Sequence, residues 1–170
     1  SFFIVGALIT PKSKITMKNI LINPTRIAFL EVLKKMGGKI KIKKTKSMCG
    51  ESVGNITAEY SELKGVNIPS DLSASLIDEY PILSIAATQA KGKTIMRGLE
   101  ELRYKESNRL DSIAINLKKI GYKIKIKKND LIISGKKFLP QKQIKIKTFN
   151  DHRIAMSFLI LNIISNDKLR

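Results

Sequence analysis

Leu33-Lys34-Lys35-Met36-Gly37-Gly38-Lys39-Ile40-Lys41-Ile42 recurs 84 residues later as Leu117-Lys118-Lys119-Ile120-Gly121-Tyr122-Lys123-Ile124-Lys125-Ile126. Each copy reads as the end of an amphipathic helix, a glycine stop and an alternating strand. Leading into and through the first copy, Ile27, Leu30, Leu33 and Met36 fall at helical spacing. Leading into and through the second, Leu110, Ile113, Leu117 and Ile120 do the same. Such spacing lays apolar side chains along one stripe of a helix. Gly37 and Gly121 stand where a left-handed C-cap is wanted. The Lys-Ile alternation that follows describes a strand with one solvated face. A helix-to-strand unit used twice sets the architecture.

The rest of each unit can be read outward from these copies. In the second unit a strand near Leu63–Ile68 leads to a helix at about Glu79–Ala90 and a strand at Thr94–Arg97. Asn129-Asp130 is a plausible tight turn between strands Tyr122–Lys127 and Leu131–Ser134. In the first unit the corresponding helix and strand are Phe2–Ile9 and Lys14–Ile20. The order is β-α-β-α-β-β. A third unit begins at Ile144-Lys145-Ile146-Lys147 and continues into a helix at Asp151–Ile164. Helices that are apolar all round, Phe2–Ile9 and Ile154–Ile164, belong inside a ring of sheets. The expected class is α/β (α+β), with repeated βαβαββ units and helices packed inside sheets. Residues 1–170 form one incomplete domain: units at about 1–62 and 63–140 and a truncated third at 141–170. A second domain and the C-terminal end are expected elsewhere in the protein.

Composition narrows the function classes. The chain has 170 residues, 43% hydrophobic and 27% charged, which suits a globular domain and not a disordered one. No apolar run reaches the roughly 18 residues of a membrane span. The opening Phe2–Ile9 lacks a basic flank and a cleavage site, so it is no signal peptide. The single cysteine, Cys49, excludes an internal disulfide framework and a cysteine-based zinc site. A reducing, cytoplasmic setting is the default. The net charge of +18 leaves three readings open: a nucleic-acid binder, a positive field for an anionic small substrate, or lysine-rich coding on solvated strand faces. With 6% aromatics and no tryptophan, stacking platforms for single strands are few.

Chemistry-bearing residues gather at three helix starts. Asp78-Glu79-Tyr80-Pro81 has Asp78 as an N-cap and a proline tolerated in the first turn. Lys105-Glu106-Ser107-Asn108-Arg109 puts cations beside a helix N-terminus, against the helix dipole; a bound anion would explain them. Asn150-Asp151-His152-Arg153-Ile154-Ala155-Met156 has Asp151 as a cap, the lone histidine His152, and Arg153 in the first turn. With a pseudo-symmetry axis relating the repeats, their helix starts would point toward one end of the domain. That end is expected to be a positive cup with two carboxylates, suited to a ligand with several phosphate or carboxylate groups.

These runs carry a resemblance. Lys105-Glu106-Ser107-Asn108-Arg109 is similar to the Lys-Glu-Ser/Thr-Asp-Arg signature of 5-enolpyruvylshikimate-3-phosphate synthases. Asn150 to Met156 resembles their Asn-Asp-His-Arg-Met-Ala-Met signature. Asp78-Glu79-Tyr80-Pro81 with Ala86-Ala87, and Asn23-Pro24-Thr25-Arg26 through Met36-Gly37, fit the same family. The resemblance implies two similar domains of three βαβαββ units, and transfer of the enolpyruvyl group of phosphoenolpyruvate to the 5-hydroxyl of shikimate 3-phosphate. It implies that Asp78 holds or deprotonates the acceptor hydroxyl and that Glu106 shuttles a proton at the methylene carbon. Lys105 would contact both substrates and assist proton transfer. Arg109 and Arg153 would grip phosphoenolpyruvate, with His152 near its leaving phosphate.

No metal or organic cofactor is implied. The implied partners are the two small-molecule substrates, with no nucleic acid or membrane, and the complete protein is expected to be a monomer. Asn108 departs from the family's usual Asp; if that Asp orients Arg109, the departure weakens the grip on phosphoenolpyruvate. The alternatives are the related UDP-N-acetylglucosamine enolpyruvyl transferase, a basic nucleic-acid-binding domain, and a catalytically dead scaffold hinted at by Asn108.

Overall fold

The computed structural model describes residues 1–23, 27–136, 143–165 and 169. The family-like stretch from Asn23 includes residues 24–26, and the expected boundary between second and third units falls within 137–142; both lie outside the described residues. The first unit runs α1 (Phe2–Ile9), β1 (Lys14–Leu21), α2 (Ala28–Lys35), β2 (Lys39–Met48) and β3 (Glu51–Glu59). The second runs β4 (Asn67–Ile68), α3 (Tyr80–Gln89), β5 (Gly92–Met96), α4 (Arg109–Ile120), β6 (Lys123–Lys127) and β7 (Asp130–Gly135). Short 3-10 turns at Ser70–Leu72 and Glu100–Tyr104 precede α3 and α4, and α5 (His152–Ile163) follows.

The two sheets share a plan. The first has strand order β1-β3-β2 and the second β4-β5-β7-β6. The pairs β1–β3 and β5–β7 correspond, as do β2–β3 and β6–β7, and all four are antiparallel. The second sheet adds β4, parallel to β5. Both Lys-Ile strands lie at a sheet edge. In β2 the lysines 39, 41 and 43 face solvent while Ile40 and Ile42 pack against the core. In β6, Ile124 is buried between exposed Lys123 and Lys125. Charged edge strands discourage pairing with another chain, which accounts for much of the lysine without a ligand.

Three expectations need correction. The turn between β6 and β7 is Lys128-Asn129, and Asp130 opens β7 opposite Lys127. Lys128 takes the left-handed backbone (φ 54°), while Asp130 turns its carboxylate to Arg97 and the Gly98 N–H. The strand expected at 63–68 shrinks to Asn67–Ile68 with a bridge from Lys64 to Lys91. The strand expected at 144–147 is a single bridge from Ile144 to Leu169.

The core forms where α1, α3 and α5 pack on one another. Helix α3 is buried along its whole length. Two of its polar side chains turn back onto the helix, Ser84 donating to the Tyr80 carbonyl and Thr88 to that of Ile85. Gly6 of α1 lies against Ile160 of α5. Helix α5 departs from the expected all-round burial: Leu159 and Ile163 are 63% and 57% exposed, and Met156 shares that open face. Among the described residues the third unit contributes no sheet to cover it. The apolar sequence of α5 reports a face that needs a cover, not one that has it here.

Two glycines are demanded by geometry. Gly121 ends α4 at φ 112° and donates to the Leu117 and Lys118 carbonyls. A Cβ at Gly135 would stand 2.0 Å from the Ala90 carbonyl oxygen and 2.5 Å from that of Ala87, so β7 approaches the end of α3 only because it has none. In the full-length protein, Gly121→Ala should cost about 1–2 kcal/mol, the left-handed penalty. Gly135→Ala should cost more, at or above the roughly 1–3 kcal/mol of an overpacked site, because backbone must move. Denaturant unfolding of both variants checks the order. Asn108 caps α4 by accepting from the Asp111 N–H at 3.1 Å and donating to its carboxylate at 2.8 Å. Asn108→Ala should therefore lower stability by about 1 kcal/mol in the same assay.

Candidate active site

The starts of α3, α4 and α5 meet through their side chains. At α3 the N-cap position is Glu79, without a side-chain capping bond. The preceding turn brings the Glu79 and Tyr80 N–H groups onto the Leu76 carbonyl. Asp78 therefore does not cap, contrary to the reading of its position. Its side chain is 46% exposed and accepts from two arginines instead.

At α4 the chain leaves the Glu100–Tyr104 turn, extends at Lys105 and enters the helix through the Asn108 cap. Arg109 is the first helical residue and is 0% exposed. Each nitrogen of its guanidinium has a carboxylate. Nε donates to Asp151 at 2.8 Å, Nη1 to Asp78 at 3.0 Å and Nη2 to Glu106. Asn108 takes no part in this set; its side chain bonds Asp111 instead.

At α5 the cap is Asp151, with a buried carboxylate. Oδ1 accepts from the N–H groups of Arg153 and Ile154 at 2.9 and 3.3 Å. Oδ2 accepts from Arg109 Nε and, at 3.1 Å, from the Ser107 hydroxyl. The two residues before it, Phe149 and Asn150, both have left-handed backbone, a costly conformation for Phe. Arg153 reaches across to α3, donating to the Asp78 carbonyl at 3.1 Å and its carboxylate at 3.3 Å, with Glu79 at 4.0 Å.

Burial alone would raise the Asp151 carboxyl; the hydrogen bond and charge of Arg109, with the Arg153 N–H and Ser107, outweigh it and hold the group below the usual carboxylate range. Burial likewise opposes the charge on Arg109, but Asp151, Asp78 and Glu106 together keep it protonated. Opposite charges and hydrogen bonds that favour the ionised forms win over desolvation at both ends.

Of the residues singled out in the sequence, Asp78, Glu106, Arg109 and Arg153 form one bonded cluster. Lys105 and His152 are exposed beside it and take no part in its hydrogen bonds among the described residues. Asp151 was legible only as a cap, and Ser107 and Glu79 only as neighbours within a motif. The signal for Asp151 was an acidic residue two positions before an arginine at a helix start. The cup also differs in charge from the expectation. Asp78, Glu79, Glu106 and Asp151 pair with Arg109 and Arg153 alone, so the bonded cluster is not net positive. A groove of about 890 Å³ lies elsewhere, over β5, β6 and β7, with Lys93, Lys123 and Lys125 on its walls.

The family model for EPSP synthase (3-phosphoshikimate 1-carboxyvinyltransferase) matches residues 1–170. The 3-phosphoshikimate 1-carboxyvinyltransferase of Petrotoga mobilis is 46% identical over 169 residues, covering 99% of this chain and 39% of that protein. That of Thermoanaerobacter sp. strain X514 is 41% identical over 170 residues, with 100% and 40% covered. An EPSP synthase structure from Acinetobacter baumannii superposes with a TM-score of 0.88 at 36% identity, over 99% of this chain and 38% of the other. The enolpyruvyl transferase NikO from Streptomyces tendae, at 16% identity and a TM-score of 0.65 over 99% of this chain and 35% of its own, shares the fold. The chain thus spans about two fifths of the length of the curated relatives it matches. This chain belongs to the EPSP synthase family.

Proposed function

We propose that the full-length protein transfers the enolpyruvyl group of phosphoenolpyruvate to the 5-hydroxyl of shikimate 3-phosphate and releases phosphate. The observation that carries this reading is that two arginine forks, Arg109 and Arg153, converge on one half-exposed carboxylate, Asp78, with Glu106 on the same guanidinium. Arginine forks match the carboxylate and phosphate of phosphoenolpyruvate bidentately. Two of the carboxylates bonded to them, Asp78 and Glu106, are the ones whose proton chemistry the reaction needs.

The reaction runs by addition and then elimination. In the first step the methylene carbon gains a proton, the acceptor oxygen bonds the neighbouring carbon, and the hydroxyl proton leaves. In the second, the C–O bond to phosphate breaks and the new methyl group gives a proton back. Glu106 delivers and recovers the proton at carbon, and Asp78 holds the hydroxyl or takes its proton. Arg109 and Arg153 bind the phosphoenolpyruvate anion. Lys105 contacts both substrates and assists proton transfer, and His152 lies near the departing phosphate. The exposure of Lys105, Glu106 and His152 supports these roles, since a ligand must reach them. Neither metal nor organic cofactor has a step here.

This chain supplies one wall of a cleft. Its units at about 1–62, 63–140 and 141–170 belong to one domain, and a second domain supplies the facing wall. The protein works as a cytoplasmic monomer on small molecules, with neither nucleic acid nor membrane as partner. Among the described residues no helix is long and apolar enough to cross a membrane.

Phosphate release from shikimate 3-phosphate plus phosphoenolpyruvate by the full-length protein is the test, with UDP-N-acetylglucosamine as control acceptor. Turnover is expected with shikimate 3-phosphate alone. Glu106→Gln should lower kcat by about 10²–10⁴-fold, the usual worth of a positioned acid or base, with a far smaller change in KM. A Glu106→Gln enzyme of ordinary activity would remove Glu106 from the proton path.

A further inference from the structure

We infer that Asp151 is a positioning residue, a single buried carboxylate that aims both arginines of the site, and not a helix cap alone. This rests on the functional reading above. A cap needs one oxygen, and Oδ1 fills that role for the Arg153 and Ile154 N–H groups. The second oxygen is committed elsewhere, to Arg109 Nε at 2.8 Å and the Ser107 hydroxyl at 3.1 Å. Serine, asparagine or threonine would cap as well; only a carboxylate both caps and neutralises a guanidinium.

The three partners of Arg109 are not equivalent. Asp151 and Arg109 have side chains with 0% exposure, whereas Asp78 and Glu106 are 46% and 51% exposed. The Nε end of the guanidinium is therefore fixed inside the protein, and its two Nη atoms face outward against carboxylates that an incoming anion can displace. Holding Nε selects the end-on pair of donors for the ligand. Because the same carboxylate caps α5 one residue before His152, it also fixes where Arg153 leaves its helix relative to Arg109. Water cannot reach a fully buried pair, so losing Asp151 leaves Arg109 Nε without an acceptor while Asp78 and Glu106 still hold its Nη atoms.

Asp151→Asn separates the two functions. An asparagine oxygen retains the cap, while its NH₂ would face the donor Nε of Arg109. In the full-length enzyme, steady-state kinetics of Asp151→Asn should show a KM for phosphoenolpyruvate raised on the order of tenfold to a hundredfold, the scale of a small misplacement of a binding group. The KM for shikimate 3-phosphate should stay within about twofold, a split that a general loss of structure does not produce. Asp151→Ser, which caps but cannot reach Arg109, should behave alike. Should both fold too poorly to assay, Ser107→Ala removes the other donor to Oδ2 and should raise the same KM severalfold. An active, folded Asp151→Asn with an unchanged KM for phosphoenolpyruvate, or an equal rise for both substrates, would overturn the positioning role alone. Absence of turnover in the unsubstituted protein would overturn the functional reading and, with it, this role.

Discussion

A guanidinium buried without contact with water must be surrounded by acceptors, and Arg109 is buried completely. Three carboxylates meet that demand: Asp151 from α5, Asp78 from the approach to α3 and Glu106 from the approach to α4. Breaking a buried pair by removing one partner typically costs about 3–5 kcal/mol, because the other charge is left behind. The requirement ties together three helix starts that lie far apart in the chain, and Ser107 and Arg153 are drawn in by hydrogen bonds to the same groups. Their meeting point has its place because α3 is fully buried and packs on α5 in the core, so neither helix can withdraw.

The same arrangement reconciles a strongly basic chain with a site that is not basic on its own. Eight lysines lie on the edge strands β2 and β6, where they keep edges soluble and add to a general positive field. At the site, acids and bases are paired one against another.

Much of the fold was legible because it is written twice. The Leu33–Ile42 and Leu117–Ile126 copies carry helical spacing, a glycine stop and two-residue alternation, each with one physical meaning, and α2, α4 and β6 fall within about a residue of where those patterns put them. What was not legible had no local signal. Just before the short β4, the chain comes so close to β5 that a Cβ at Gly65 would stand 2.1 Å from the Lys93 carbonyl oxygen, a tertiary contact with no local signal. The open face of α5 depends on what packs beside it, which an apolar helix cannot report. At the site, residue types and their meeting at helix starts could be read from sequence. The second duty of Asp151 could not, since capping already explained an Asp before an apolar helix, and the bond to Arg109 spans 42 residues. The Asn108 side chain serves its own helix, a local cap that the motif position did not announce.

The most direct measurement is a pair of crystal structures of the full-length protein, with and without phosphoenolpyruvate. Arg109 Nε should keep its 2.8 Å bond to Asp151 in both, while the Nη bonds to Asp78 and Glu106 give way to oxygens of the ligand. A bound phosphoenolpyruvate that touches neither Arg109 nor Arg153, or an Arg109 that leaves Asp151 to reach it, would contradict the central role given to the buried guanidinium.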